Sequence, residues 1–169
     1  MSDVLQEYKY SKEKTSHSPV ITKGSLIDYN SIVQTEGSKT QITKVVVINM
    51  DLIMKSLCLN PVPASMDIAL IVKKDFKQYK YLLVDFKFNV KSYKNITSHV
   101  TNNSIKEKFN STKTYIEQND EEIQCINIAF FVFKDRNFQQ IRNAWQRRNL
   151  NNPKHKAICQ SAFESIFSN

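Results

Sequence analysis

The stretch Asp67-Ile68-Ala69-Leu70-Ile71-Val72-Lys73-Lys74-Asp75-Phe76-Lys77-Gln78-Tyr79-Lys80-Tyr81-Leu82-Leu83-Val84-Asp85-Phe86-Lys87 decides how this chain folds. Two apolar runs, Ile68 to Val72 and Tyr81 to Val84, are rich in the β-branched and aromatic residues that suit strands. The polar segment 73–80 between them is short, so the two runs form an antiparallel hairpin. Runs this continuous belong to a sheet covered on both faces. Strand side chains alternate with period two, which puts Asp85 and Lys87 on one face and turns Phe86 to the other. Register decides whether Asp67 joins them. If cross-strand partners have an even residue-number sum near 152 or 154, Asp67 lies opposite Asp85 or Lys87 on the same face; an odd sum separates them.

Working outward, Val45 to Ile48 and Ile126 to Phe133 read as further strands. Between the hairpin and the last strand, Ile105, Phe109, Thr112 and Ile116 recur at helical spacing, the stripe of a crossover helix packed on the sheet. Upstream, Leu26, Ile27, Ser31, Ile32 and Val33 predict a helix ending near Gly37. Downstream, Phe138, Ile141 and Trp145 predict another, and Ile158, Ala162, Phe163 and Ile166 a final one. The expected order is α-β-β-β-α-β-α-α: an α/β protein with a mixed central sheet of about four strands flanked by helices. Residues 1–25, rich in Ser, Lys and Thr without a sustained period, read as a flexible arm, loose or only partly docked. Residues 26–169 read as a single domain whose segment 134–169 is basic and helical.

Composition narrows the function classes. The 169 residues carry 24 Lys and Arg against 16 Asp and Glu, a formal charge of +8, and 41% are hydrophobic, enough to close one core. No apolar run approaches the ~20 residues of a membrane span. Met1 to Glu7 lacks a basic cluster and an apolar region, so no secretory signal is expected and the chain reads as cytoplasmic. Cys58, Cys125 and Cys159 are too scattered for a zinc clip and read as core thiols. His17, His99 and His155 have no second histidine at ligand spacing. With two glycines in all, the chain cannot build a Gly-rich phosphate loop or a nucleophile elbow, which sets aside nucleotide-triphosphate and serine-hydrolase chemistry.

In the favourable register two carboxylates converge, and their repulsion is relieved by a divalent cation. Mg²⁺ (or Mn²⁺) is the natural candidate, since it takes oxygen ligands and keeps several waters. This arrangement, Asp67 followed after seventeen residues by Asp85-Phe86-Lys87, resembles the PD-(D/E)xK nuclease superfamily, whose members include many restriction endonucleases and junction resolvases. The resemblance covers roughly residues 26–133, the α-β-β-β-α-β core of that superfamily. It implies a restriction endonuclease-like fold in which Asp67 and Asp85 hold the metal and Lys87 assists the attacking water. Where that family carries a Pro directly before the first Asp, this chain has Met66, with Pro63 four positions before Asp67. For the acid many members bear on the first helix, Asp28 and Glu36 are both candidates. For the Gln or Lys on the later helix, Lys108 and Lys113 are.

From Lys134 to Lys156 the basic residues Lys134, Arg136, Arg142, Arg147, Arg148, Lys154 and Lys156 face one acid, Asp135. Such a cluster suits contacts to a phosphate backbone, with Arg142, Arg147, Arg148, Lys154 and Lys156 as the expected nucleic-acid contacts and Trp145 either stacking on an unpaired base or anchoring its helix in the core. DNA is the expected substrate, with RNA left open, and selectivity would come from a homodimer or a partner subunit. Two other classes compete. One is a catalytically silent scaffold that binds an acidic partner protein, as an immunity or antitoxin-like protein binds a toxin. The other is a nucleic-acid binder without catalysis.

Overall fold

A computed structural model describes residues 3–92, 94, 96, 102–148, 152 and 154–168. His99, one of the histidines considered above, lies outside the described residues. In chain order the elements are α1 (Asp3–Gln6), β1 (Tyr8–Tyr10), α2 (Lys12–Ser16), β2 (Leu26–Asp28), α3 (Tyr29–Thr35), β3 (Val46–Asn49), α4 (Met50–Ser56), β4 (Ile68–Lys74), β5 (Gln78–Phe86), α5 (Asn102–Asn119), β6 (Cys125–Phe133), α6 (Phe138–Arg147), β7 (His155–Cys159) and α7 (Gln160–Glu164), followed by a 3₁₀ turn at Ser165–Phe167.

Local chemistry sets the helix ends. Asp28 and Asn49 accept hydrogen bonds from the backbone N–H of Ser31 (3.2 Å) and Leu52 (3.0 Å), capping α3 and α4. Gly37, at φ 90°, takes the left-handed conformation that stops α3, and Ser38 N–H closes the turn on the Val33 carbonyl at 2.9 Å. Glu36 is thereby the last residue before the chain turns away.

The strands form one mixed seven-stranded sheet in the order β2-β3-β4-β5-β6-β7, with β1 pairing to β4 beyond the end of β3. The chain from β2 to β5 is antiparallel, and β6 and β7 then add in parallel. Both faces are covered, as the continuous apolar runs predicted. On one face Ile48, Ala69, Ile71, Tyr81, Leu83, Ala129, Phe131 and Phe133 pack under Ile53 of α4, Phe109 of α5 and Trp145 of α6. On the other, Leu70, Leu82, Val84, Phe86, Phe130 and Val132 meet Tyr29 of α3 and Phe163 of α7. Among the described residues no helix is long and apolar enough to cross a membrane.

The structure corrects three expectations. The sheet has seven strands rather than about four. β2 occupies Leu26–Asp28, where a helix was expected to begin, and β7 takes Ile158, which the helical spacing had assigned to the last helix. A three-residue and a five-residue strand are too short to leave a period, and both owe their conformation to pairing with a neighbour. The N-terminal arm is not loose. Thr15, fully buried, accepts the Ile71 N–H at 2.9 Å and donates to the Ser11 carbonyl at 2.7 Å. Ser18 Oγ lies 2.6 Å from Tyr81 Oη, which donates to Asp120 at 2.6 Å. The arm docks through hydroxyl groups that satisfy buried partners, a mode that hydropathy does not display.

Candidate active site

Ile68 pairs with Val84, an even sum of 152, so Asp67 and Asp85 stand across from one another where β4 begins and β5 ends. This is the favourable register. Both carboxylates are buried, at 8% and 1% exposure, on the sheet face that carries Ala69, Ile71 and Leu83. Asp67 Oδ2 accepts the Phe86 N–H at 2.6 Å, which ties the two strand ends together. Phe86 turns to the opposite face, against Phe88 (ring centroids 4.9 Å apart) and Tyr29 (6.3 Å). Lys87 N–H continues the alignment with β6 by donating to the Val132 carbonyl at 2.8 Å.

Lys87 Nζ pairs with Asp85 Oδ2. Asp85 Oδ1 is taken by Lys108 Nζ of α5 at 3.0 Å. The crossover helix delivers this second ammonium because its buried stripe of Ile105, Phe109 and Ile116 fixes its rotation over the sheet. Thr112, one turn beyond Lys108 and fully buried, accepts the Met66 N–H at 2.9 Å and so holds the backbone just before Asp67. Of the two lysines considered for this helix, Lys108 is therefore the one at the site; Lys113 reaches along the helix to Glu117 at 3.9 Å.

Two more acids belong to the cluster, Glu36 acting on Asp67, and Asp51 on Glu36 and Lys108. Glu36, half-buried at the end of α3, has its pKa raised by burial and by the charges of Asp51 and Asp85, against the lowering effect of Lys108 and Lys87. Asp51, in the first turn of α4, accepts a hydrogen bond from Ser65 Oγ. Asp28, the other candidate for a first-helix acid, is exposed and occupied in capping α3. Burial, reinforced by the charges of Asp85 and Glu36, pushes the Asp67 carboxyl up to about 8, against the lowering effect of the Phe86 N–H and Lys108. Burial works against the charge on Lys108, yet the adjacent Asp85 and Asp67 carboxylates leave its pKa raised.

The donor set suits Mg²⁺, which binds through one or two carboxylates and keeps waters and substrate phosphates in its remaining positions. A cation between Asp67 and Asp85 would replace the proton that burial, reinforced by the charge of Asp85, otherwise retains. Among the described residues no three His, Cys, Asp or Glu side chains are grouped so as to hold a metal ion.

The basic residues expected to contact nucleic acid lie on α6 and around the start of β7. Arg147 and Arg148 are exposed at the end of α6, Arg142 is half-buried on it, and Lys154 and Lys156 flank the start of β7, exposed and half-buried respectively. Trp145 is not available to stack on a base: it is 2% exposed and wedged between Phe131 and Phe133, with ring centroids 5.2 and 5.8 Å away. Cys125 is buried, as expected of a core thiol, whereas Cys58 is exposed and Cys159 intermediate.

Sequence reading missed Asp51 and Thr112 as members of the site. Asp51 lies in a seven-residue helix with little period to reveal it, and Thr112 stood out only as part of an apolar stripe. No protein family, curated protein or solved structure matches the chain, so its functional reading rests on this geometry.

Proposed function

We propose that the protein is a Mg²⁺-dependent nuclease of PD-(D/E)xK type that hydrolyses phosphodiester bonds in DNA. The observation that carries this reading is the facing pair Asp67 and Asp85 at the mouth of one hairpin, with Lys87 and Lys108 on the two oxygens of Asp85. In its support, α3, β3, β4, β5, α5 and β6 occur in this chain order, with α4 inserted between β3 and β4. In this reading Asp67 and Asp85 hold the ion and Glu36 adds negative charge behind them. Mg²⁺, when bound, supplies Lewis acidity toward phosphate oxygens and lowers the pKa of water. Lys87, with 12% of its side chain exposed, is kept in place by Asp85 and orients the attacking water. Lys108, at 30%, is the more accessible ammonium and donates to the phosphate oxygens as negative charge builds on them. Arg147 and Arg148 offer exposed cationic contacts for the backbone of the substrate.

Asp85→Ala tests the reading. Mg²⁺-dependent nicking of plasmid DNA is expected to disappear while the circular dichroism spectrum is retained. A mutant that cuts as fast as the parent would refute the assignment.

One observation favours a second reading, a silent scaffold that binds an acidic partner. Both oxygens of Asp85 are engaged by ammonium groups, so the site can balance its own charge without an ion. A protein that neither binds Mg²⁺ nor nicks DNA, but forms a 1:1 complex with a protein encoded beside it, would select that reading.

A further inference from the structure

On the opposite flank of α5 from Lys108 lies a cavity of about 430 Å³, within the roughly 300–1,000 Å³ typical of small-molecule sites. At 100° per residue, Lys108 and Thr112 fall on one side of the buried stripe of α5, while Asn103, Lys106 and Asn110 fall on the other and line the cavity. Asn127 of β6 and Lys154, just before β7, complete the polar wall. The apolar part is Phe109, 5% exposed.

Three features give this cavity a chemistry. Its described lining holds two lysines and no acid, so it favours an anion. Its carboxamides each present a donor beside an acceptor, the pattern that matches the edge of a nucleobase. His155, on the same wall, is 8% exposed, and its Nδ1 has no hydrogen-bond partner among the described residues. A buried ring nitrogen left without a partner costs stability unless something supplies one.

We infer that this cavity binds one nucleotide, its phosphate against Lys106 and Lys154, its base read by the asparagine amides and His155 beside Phe109. A free mononucleotide and a single nucleotide of a nucleic-acid strand share this chemistry. The inference does not depend on catalysis at the acid cluster, since none of the cavity's lining residues belongs to it.

The test is isothermal titration of the full chain in EDTA with nucleoside 5′-monophosphates, the corresponding nucleosides, inorganic phosphate and a short single-stranded oligonucleotide. Binding of the monophosphates is expected to weaken at least tenfold in the double variant Lys106→Glu/Lys154→Glu, both positions being exposed enough to leave the fold intact. Asp85→Ala, which removes the proposed nuclease, is expected to bind as the parent does, so the two readings fail separately. Binding of the oligonucleotide alone, lost in the same double variant, also supports the inference and assigns the site to a strand. The inference is overturned if no probe binds at millimolar concentration, if the double variant binds unchanged, or if inorganic phosphate binds as tightly as the nucleotide.

Discussion

Lys108 and Asp85 lie 23 residues apart in the chain, yet Nζ and Oδ1 meet at 3.0 Å across the gap between a helix and a strand. Lys108→Met removes the more accessible of the two ammonium groups and leaves Lys87 on Asp85. In the proposed nuclease, kcat is expected to fall about 10²-fold, the usual cost of one donor aimed at developing charge. Lys108→Arg is expected to restore part of the loss, measured by single-turnover cleavage at saturating Mg²⁺.

Asp67 carries a stability signature. Its pKa is 3.8 before the fold acts on it and about 8 in the folded protein. The folded state therefore favours the proton, and stability is whole below about pH 4 and drains away as pH climbs toward 8. Asp67→Asn keeps an acceptor for the Phe86 N–H and removes the titration. In EDTA its advantage over the parent is expected to be small at pH 4, to grow through neutrality and to reach on the order of 1–3 kcal/mol by pH 8. Thermal melts at pH 4, 6 and 8 check this; an advantage that shrinks with pH would contradict the cause assigned to the shift.

Thr15 ties the N-terminal arm to β4. Thr15→Val preserves shape and deletes the acceptor for the Ile71 N–H, leaving a buried donor without a partner. Urea denaturation is expected to show a loss of about 1–3 kcal/mol. A freely moving arm would give no change.

Trp145 separates core from contact. Trp145→Ala is expected to cost about 3–5 kcal/mol of stability, because the ring fills the space between Phe131 and Phe133. Trp145→Phe is expected to keep salt-sensitive DNA binding within twofold of the parent, whereas Arg147→Glu/Arg148→Glu, on the exposed end of α6, is expected to weaken it about tenfold or more. Fluorescence anisotropy with labelled duplex DNA distinguishes these outcomes.

The residue pattern carried the hairpin, its two-sided burial and the sharing of one face by Asp85 and Lys87, because period-two alternation and continuous apolar runs are local properties that each strand carries alone. It also marked the crossover stripe of α5, whose period runs from Ile105 to Ile116. The pairing of Ile68 with Val84 came from packing, since alternation admits several even registers and the choice among them lies in how two strands meet. The same holds for the selection of Lys108 over Lys113 and of Glu36 over Asp28, for the docking of the arm, and for the removal of Trp145 from the surface. Each of these depends on which residue of an element faces a distant partner, and that rotation is set by the closing of the core, not by the residue's own neighbours in the chain.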